Sequence, residues 1–96
     1  MAAVKVERLT EEQKKSLNIP DKPENTSEWS VWECAPSEFD WHYDSKEIAY
    51  LYEGKVIVKT PDGEVEINAG DLVTFPEGLS CTWKVIEKVR KVYKFE

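Results

Sequence analysis

Histidine, cysteine and methionine are scarce in this chain of 96 residues, which holds one His, two Cys and one Met. Cys34 and Cys81 lie in different segments with no Cys-x-x-Cys spacing, so a disulfide framework is not expected and both read as reduced thiols. The lone His42 reads as a surface residue on an outward-facing strand position. No apolar run approaches the ~18 residues that a membrane-spanning helix needs. The N-terminus has no apolar stretch of the secretory type, which leaves the cytoplasm as the expected compartment. Lys and Arg do not cluster before the tail, and the formal charge is −6. A chain so charged is repelled by nucleic acid and by anionic membrane, and neither is expected as a partner. Low-complexity tracts and internal repeats are absent too.

What the chain does have is aromatic residues, short apolar segments and turn residues between them. Its length suits one domain, typically roughly 100 to 150 residues. Thr10-Glu-Glu-Gln13 forms the pattern of a capping box and predicts a short helix from Glu11 to about Leu17, stopped by Pro20. Residues 1–28 therefore read as an N-terminal segment with a short helix, packed on a β-rich domain over 29–96. Strands are predicted over Trp29–Cys34, Phe39–Tyr43, Val65–Ile67, Leu72–Phe75, Cys81–Val85 and Val89–Phe95. Thr60-Pro-Asp-Gly63, Asn68-Ala-Gly-Asp71 and Pro76-Glu-Gly78 are the turns. Lys88, Arg90, Lys91 and Lys94 read as a solvated edge strand, where lysine discourages strand addition.

The centre of the pattern is Glu47-Ile-Ala-Tyr-Leu-Tyr-Glu-Gly-Lys-Val-Ile-Val58. Two apolar strands around Glu53-Gly54 predict a tight β-hairpin, because its turn needs positive φ. Altogether about eight short strands are expected, the pattern of an all-β jelly-roll barrel or sandwich.

The spacing Glu47-x6-Gly54, followed by Gly70-x5-Pro76-x-Gly78-x2-Cys81, resembles the two sequence motifs of the cupins. With its Trp-rich start and Gly70-Asp-Leu-Val-Thr-Phe-Pro-Glu-Gly78, the chain looks like the small single-domain cupins grouped with the cupin domain of ureidoglycine aminohydrolase. That resemblance implies the RmlC-like jelly roll. It also implies four metal-ligand positions, which fall here on Trp41, Tyr43, Glu47 and Cys81. Three of the four differ from the family's histidines, and manganese serves the wider family. Glu47 and Cys81 alone fall short of the three protein ligands of a catalytic zinc centre, so no tightly bound metal or other cofactor is expected.

Glu47 then reads as a carboxylate in an aromatic-lined pocket, with Trp41, Tyr43 and Trp83 as walls and Cys81 beside them. Such a carboxylate can anchor a cationic or hydroxylated ligand. It can equally act as a general base, with Tyr43 as the acid or orienting group. A third reading makes Glu47 a structural element at the barrel mouth, paired with Tyr43 or a backbone donor. The primary functional expectation is a small-molecule-binding cupin for a polar metabolite. The alternative is a cupin hydrolase or isomerase acting on a ureide, sugar derivative or amino-acid product. An interaction module without ligand is a further possibility. The exposed edges of one short jelly roll predict a homodimer, which light scattering tests: a monomer mass at high concentration ends that expectation.

Overall fold

The computed structural model describes residues 4–96; residues 1–3, where the segment expected over 1–28 begins, lie outside the described part. Among the described residues no helix is long and apolar enough to cross a membrane. In chain order the elements are β1 (Lys5–Arg8), α1 (Glu11–Ser16), β2 (Ser30–Cys34), β3 (Ser37–His42), β4 (Glu47–Thr60), β5 (Gly63–Asn68), β6 (Asp71–Phe75) and β7 (Ser80–Phe95). The fold is an all-β antiparallel jelly roll, a seven-stranded sheet of order β1-β6-β4-β7-β2, with β3 added on β7 and β5 on β4. The capping box forms as predicted: Gln13 N donates to Thr10 Oγ1 at 3.2 Å and Thr10 N to Gln13 Oε1 at 2.9 Å. The helix ends one residue earlier than expected, with Leu17 as its C-cap.

Two long strands carry the architecture, and both differ from expectation. Glu53-Gly54 turns no hairpin; the chain runs through it as one fourteen-residue strand, β4. Gly54 does have a positive φ of 102°. The positive φ serves a bulge, because the β7 backbone passes so close that a Cβ on Gly54 would lie 2.3 Å from the Lys88 carbonyl oxygen. Pairing with β7 shifts register three times between Leu51 and Val56. The shifts move the inward positions from Glu47, Ala49 and Leu51 to Val56 and Val58, so that one strand bends and keeps its apolar side inside. Its first part pairs with β6 and its second with β5, folding back through the predicted Pro61-Asp62 turn.

Likewise the predicted break between Val85 and Val89 is absent, and β7 spans both predicted strands. Its first half pairs with β3 and its second with β2, while β4 runs along its other side. The edge strand expected around Lys88–Lys94 is therefore central, since hydrogen-bonded neighbours flank it on both sides. Strand β1 was not expected from the sequence; it adds to β6 from Lys5↔Thr74 to Arg8↔Asp71.

The bent sheet has an inner and an outer apolar face. The inner core gathers Tyr43, Leu51, Val56, Val58, Ile67, Val73, Phe75 and Trp83. On the outer face Leu9, Leu17 and Ile19 from the N-terminal segment meet Trp29, Tyr50, Leu72 and Val92. Tyr52 donates its hydroxyl proton to the Pro20 carbonyl, tying the segment after the helix to β4.

Candidate functional site

Glu47 begins β4 and faces inward, where it is only 5% exposed. A buried carboxylate needs a partner, and its partner is the residue that the sequence pattern assigned to solvent. Lys91 Nζ donates to Glu47 Oε2 at 3.0 Å, and Lys91 is itself 5% exposed. Strand alternation explains the position, because Lys91 shares a face of β7 with Val89 and Tyr93, and that face is the core side. The expected solvated Lys91 is thus corrected: neighbouring Arg90 points outward to Glu33 and Glu53, and Lys94 to Glu28.

Rings surround the ammonium. Its Nζ lies 4.6 Å from the Trp83 ring centre, 4.9 Å from Trp32, 5.6 Å from Tyr93 and 6.0 Å from Phe75. Their π faces stabilise the cation, while burial acts against it. Burial prevails: it lowers the Lys91 pKa from its ordinary value, against the opposing pull of the Glu47 charge and hydrogen bond.

The pair borders a cavity of about 140 Å³. Trp32, Phe39, Tyr43, Trp83 and Tyr93 form much of its wall, and Trp41 and Phe95 reach it as well. Trp83 stacks on Phe39 at 6.2 Å, and Trp32 meets Trp83 edge-on at 5.7 Å. Trp41 is 51% exposed and Phe95 58%, so these two rings form a rim open to solvent.

Of the expected site residues, Trp41, Tyr43, Glu47 and Trp83 meet at this cavity and Cys81 does not. Cys81 is packed in the inner core and otherwise borders a shallow groove with Asp40, His42 and Lys59. Burial first, then the Asp40 and Glu47 carboxylates, push its thiol up to about 11, so it is a protonated thiol at neutral pH. Tyr43 makes no hydrogen bond to Glu47; its hydroxyl oxygen accepts from Trp83 Nε1 at 3.0 Å, and its ring stacks on Phe75 at 4.6 Å. Burial and the nearby Glu47 charge raise its pKa far above the ordinary tyrosine range, which makes it a hydrogen-bond donor and a poor proton-transfer acid. His42 is at the surface as expected, with Nδ1 2.8 Å from Ser80 Oγ.

The donors do not suit the metal that the motif positions imply. Among the described residues no three His, Cys, Asp or Glu side chains gather closely enough to hold an ion. Glu47 already faces a cation, Tyr43 keeps its proton, and the Cys81 sulfur lies outside the cavity.

Lys91, Trp32, Phe39, Tyr93 and Phe95 are site residues that the sequence reading missed. The available signal was the alternation Val89, Lys91, Tyr93, Phe95, in which a charged residue sits on an otherwise apolar face.

Comparison with known proteins agrees with this fold. The family model of the EutQ-like cupin domain matches residues 21–93. A DUF861 family protein of Thermotoga maritima is 48% identical, with a TM-score of 0.86 over 98% of this chain and 100% of that one. The EutQ protein of Clostridium difficile is 25% identical with a TM-score of 0.63, and the match spans 68% of this chain but 52% of EutQ. A DUF861 protein of unknown function from Pseudomonas syringae is 31% identical over 68% of this chain and 28% of that one, with a TM-score of 0.62. No curated protein matches. With three quarters of its length matched by one family model and a near full-length relative at this identity, the chain belongs to the EutQ-like cupin family.

Proposed function

We propose that this cupin binds a small oxygen-bearing metabolite, neutral or anionic, in the aromatic cavity beside Glu47 and Lys91, without a tightly bound metal. The observation that supports this reading is a buried ion pair bordering an apolar cavity that opens between exposed rings. A cavity of about 150 Å³ accommodates a group the size of benzene. The ligand therefore places a small carbonyl, carboxylate or hydroxyl-bearing group inside and leaves any larger part at the Trp41–Phe95 rim.

Charge narrows the choice. Glu47 alone would favour a cationic ligand, but Lys91 already neutralises it, and a second cation would meet like charge. An ammonium has more N–H donors than its one bond to Glu47 uses. The Tyr43 hydroxyl also has its own proton to donate, since its oxygen is the acceptor towards Trp83. Ligand oxygen is the complement of such donors. The likeness to ureidoglycine aminohydrolase contributes no substrate, because three of the four ligand positions differ.

A thermal-shift and calorimetric screen of small carboxylates, carbonyl compounds, polyols and quaternary amines, run with chelator present, tests the proposal. An oxygen-bearing compound is expected to raise the melting temperature by several degrees, which corresponds to roughly 1 kcal/mol for a domain of this size. Binding confined to cations, binding that requires an added metal, or no binding at all would overturn it.

A further inference from the structure

We infer that Lys91 is a carbonyl-capturing amine, which condenses reversibly with a small aldehyde or α-keto acid in the cavity to form an imine, with Glu47 carrying the protons. This rests on the reading that the cavity admits small oxygen-bearing molecules and goes beyond it by adding a covalent step.

Three features combine at Lys91. The ammonium is removed from solvent among rings, the environment in which a lysine amine becomes available as a nucleophile. A carboxylate lies at hydrogen-bond distance, 3.0 Å, in position to take and return protons. A cavity of about 140 Å³ adjoins both groups, with space for a few non-hydrogen atoms. The lowered pKa of Lys91 agrees with this arrangement. A lysine needed only to neutralise Glu47 requires no adjoining cavity.

The step balances without an added oxidant or reductant. Glu47 takes one proton from the ammonium, and the free amine attacks the carbonyl carbon. A C–N bond forms as the carbonyl π pair moves to oxygen, which takes the proton back from Glu47. Glu47 then removes a second proton from nitrogen and delivers it to the hydroxyl. The C–O bond breaks, water leaves, and the nitrogen lone pair closes the C=N⁺ bond. The iminium keeps the positive charge of the ammonium, so Glu47 and the surrounding rings stabilise product and reactant alike.

Reductive trapping tests the inference on the intact chain. The protein is incubated near neutral pH with pyruvate or propanal and sodium cyanoborohydride, then digested and mapped by mass spectrometry. Lys91 is expected to be modified faster than the exposed Lys22 and Lys88, because the cavity holds the carbonyl beside an amine whose pKa is lowered. In urea that preference should vanish. Lys91→Arg keeps a cation beside Glu47 but offers no nucleophilic amine, and it should lose the preferred adduct. Labelling spread over exposed lysines, with Lys91 unmodified in the folded protein, overturns the inference. If pyruvate stabilises the protein but leaves Lys91 unlabelled, the covalent step fails and the binding proposal stands. If neither probe stabilises or labels, the inference fails, and the binding proposal loses its support for carbonyl compounds.

Discussion

Removing an ammonium and a carboxylate from water costs several kcal/mol each, and their attraction inside a protein does not reliably exceed that cost. Glu47 and Lys91 are both almost fully buried, on strands whose other inward residues are apolar. Breaking the pair and replacing it should therefore have very different effects. Lys91→Met alone leaves Glu47 buried with no counter-charge and should destabilise the fold by roughly 3–5 kcal/mol. Lys91→Met combined with Glu47→Leu should recover most of that loss, as read by urea unfolding, and should abolish ligand binding. A double variant no more stable than the single one would show that packing around Lys91, and not charge pairing, sets the cost. Stability near wild type with binding lost would place the value of the pair in the cavity and not in the fold.

Among the elements, β4 shows how a long strand bends without breaking. Its bulge brings Gly54 against the Lys88 carbonyl, where a methyl group has no room. Gly54→Ala should cost roughly 1–3 kcal/mol from the backbone conformation alone, and more from the contact with β7. Chemical denaturation measures it, and an unchanged midpoint would mean that the bend is not pinned there. The same bend keeps Glu47 and Val58, at opposite ends of β4, inside one barrel. A glycine with positive φ between apolar segments suits a hairpin turn and a bulge equally well. Which of the two forms depends on a partner strand more than thirty residues later. For the same reason Ile86-Glu-Lys88 fell between two predicted strands, yet β4 pairs across it.

For the whole molecule, the buried thiol and phenol groups whose pKa values are raised on folding weaken it on the alkaline side. Cys81 rises from 9.0 to about 11 and Tyr52 from 10.0 to about 12, burial being the first cause in each. Between those limits the folded chain holds protons that the unfolded chain has released, so stability falls as pH rises. Lys91 acts with the opposite sign: its lowered pKa makes the folded chain bind fewer protons, and stability rises with pH through its window. Comparing wild type with Cys81→Ala cancels the lysine and tyrosine contributions. The wild type should lose on the order of 2 kcal/mol more than Cys81→Ala between pH 9 and 11, from the thiol alone. Equal slopes in urea melts across that range would show that the thiol titrates as freely as in the unfolded chain.

Local pattern determined much of this protein. The capping box at Thr10–Gln13, the turns at Pro61-Asp62 and Ala69-Gly70, the strand alternation and the motif spacing around Glu47 each depend on neighbours a few residues apart. They were sufficient for an all-β jelly roll and for an inward-facing Glu47 among Trp41, Tyr43 and Trp83. Tertiary structure decided what lies beside that carboxylate on the neighbouring strand. Lys91 is 44 residues from Glu47 in sequence, and only the packing of β7 along β4 brings the ammonium inside. The same packing leaves Cys81 outside the cavity and joins each long strand where the sequence suggested a break. Alternation along one strand says which side chains share a face; it cannot say which distant strand that face will meet.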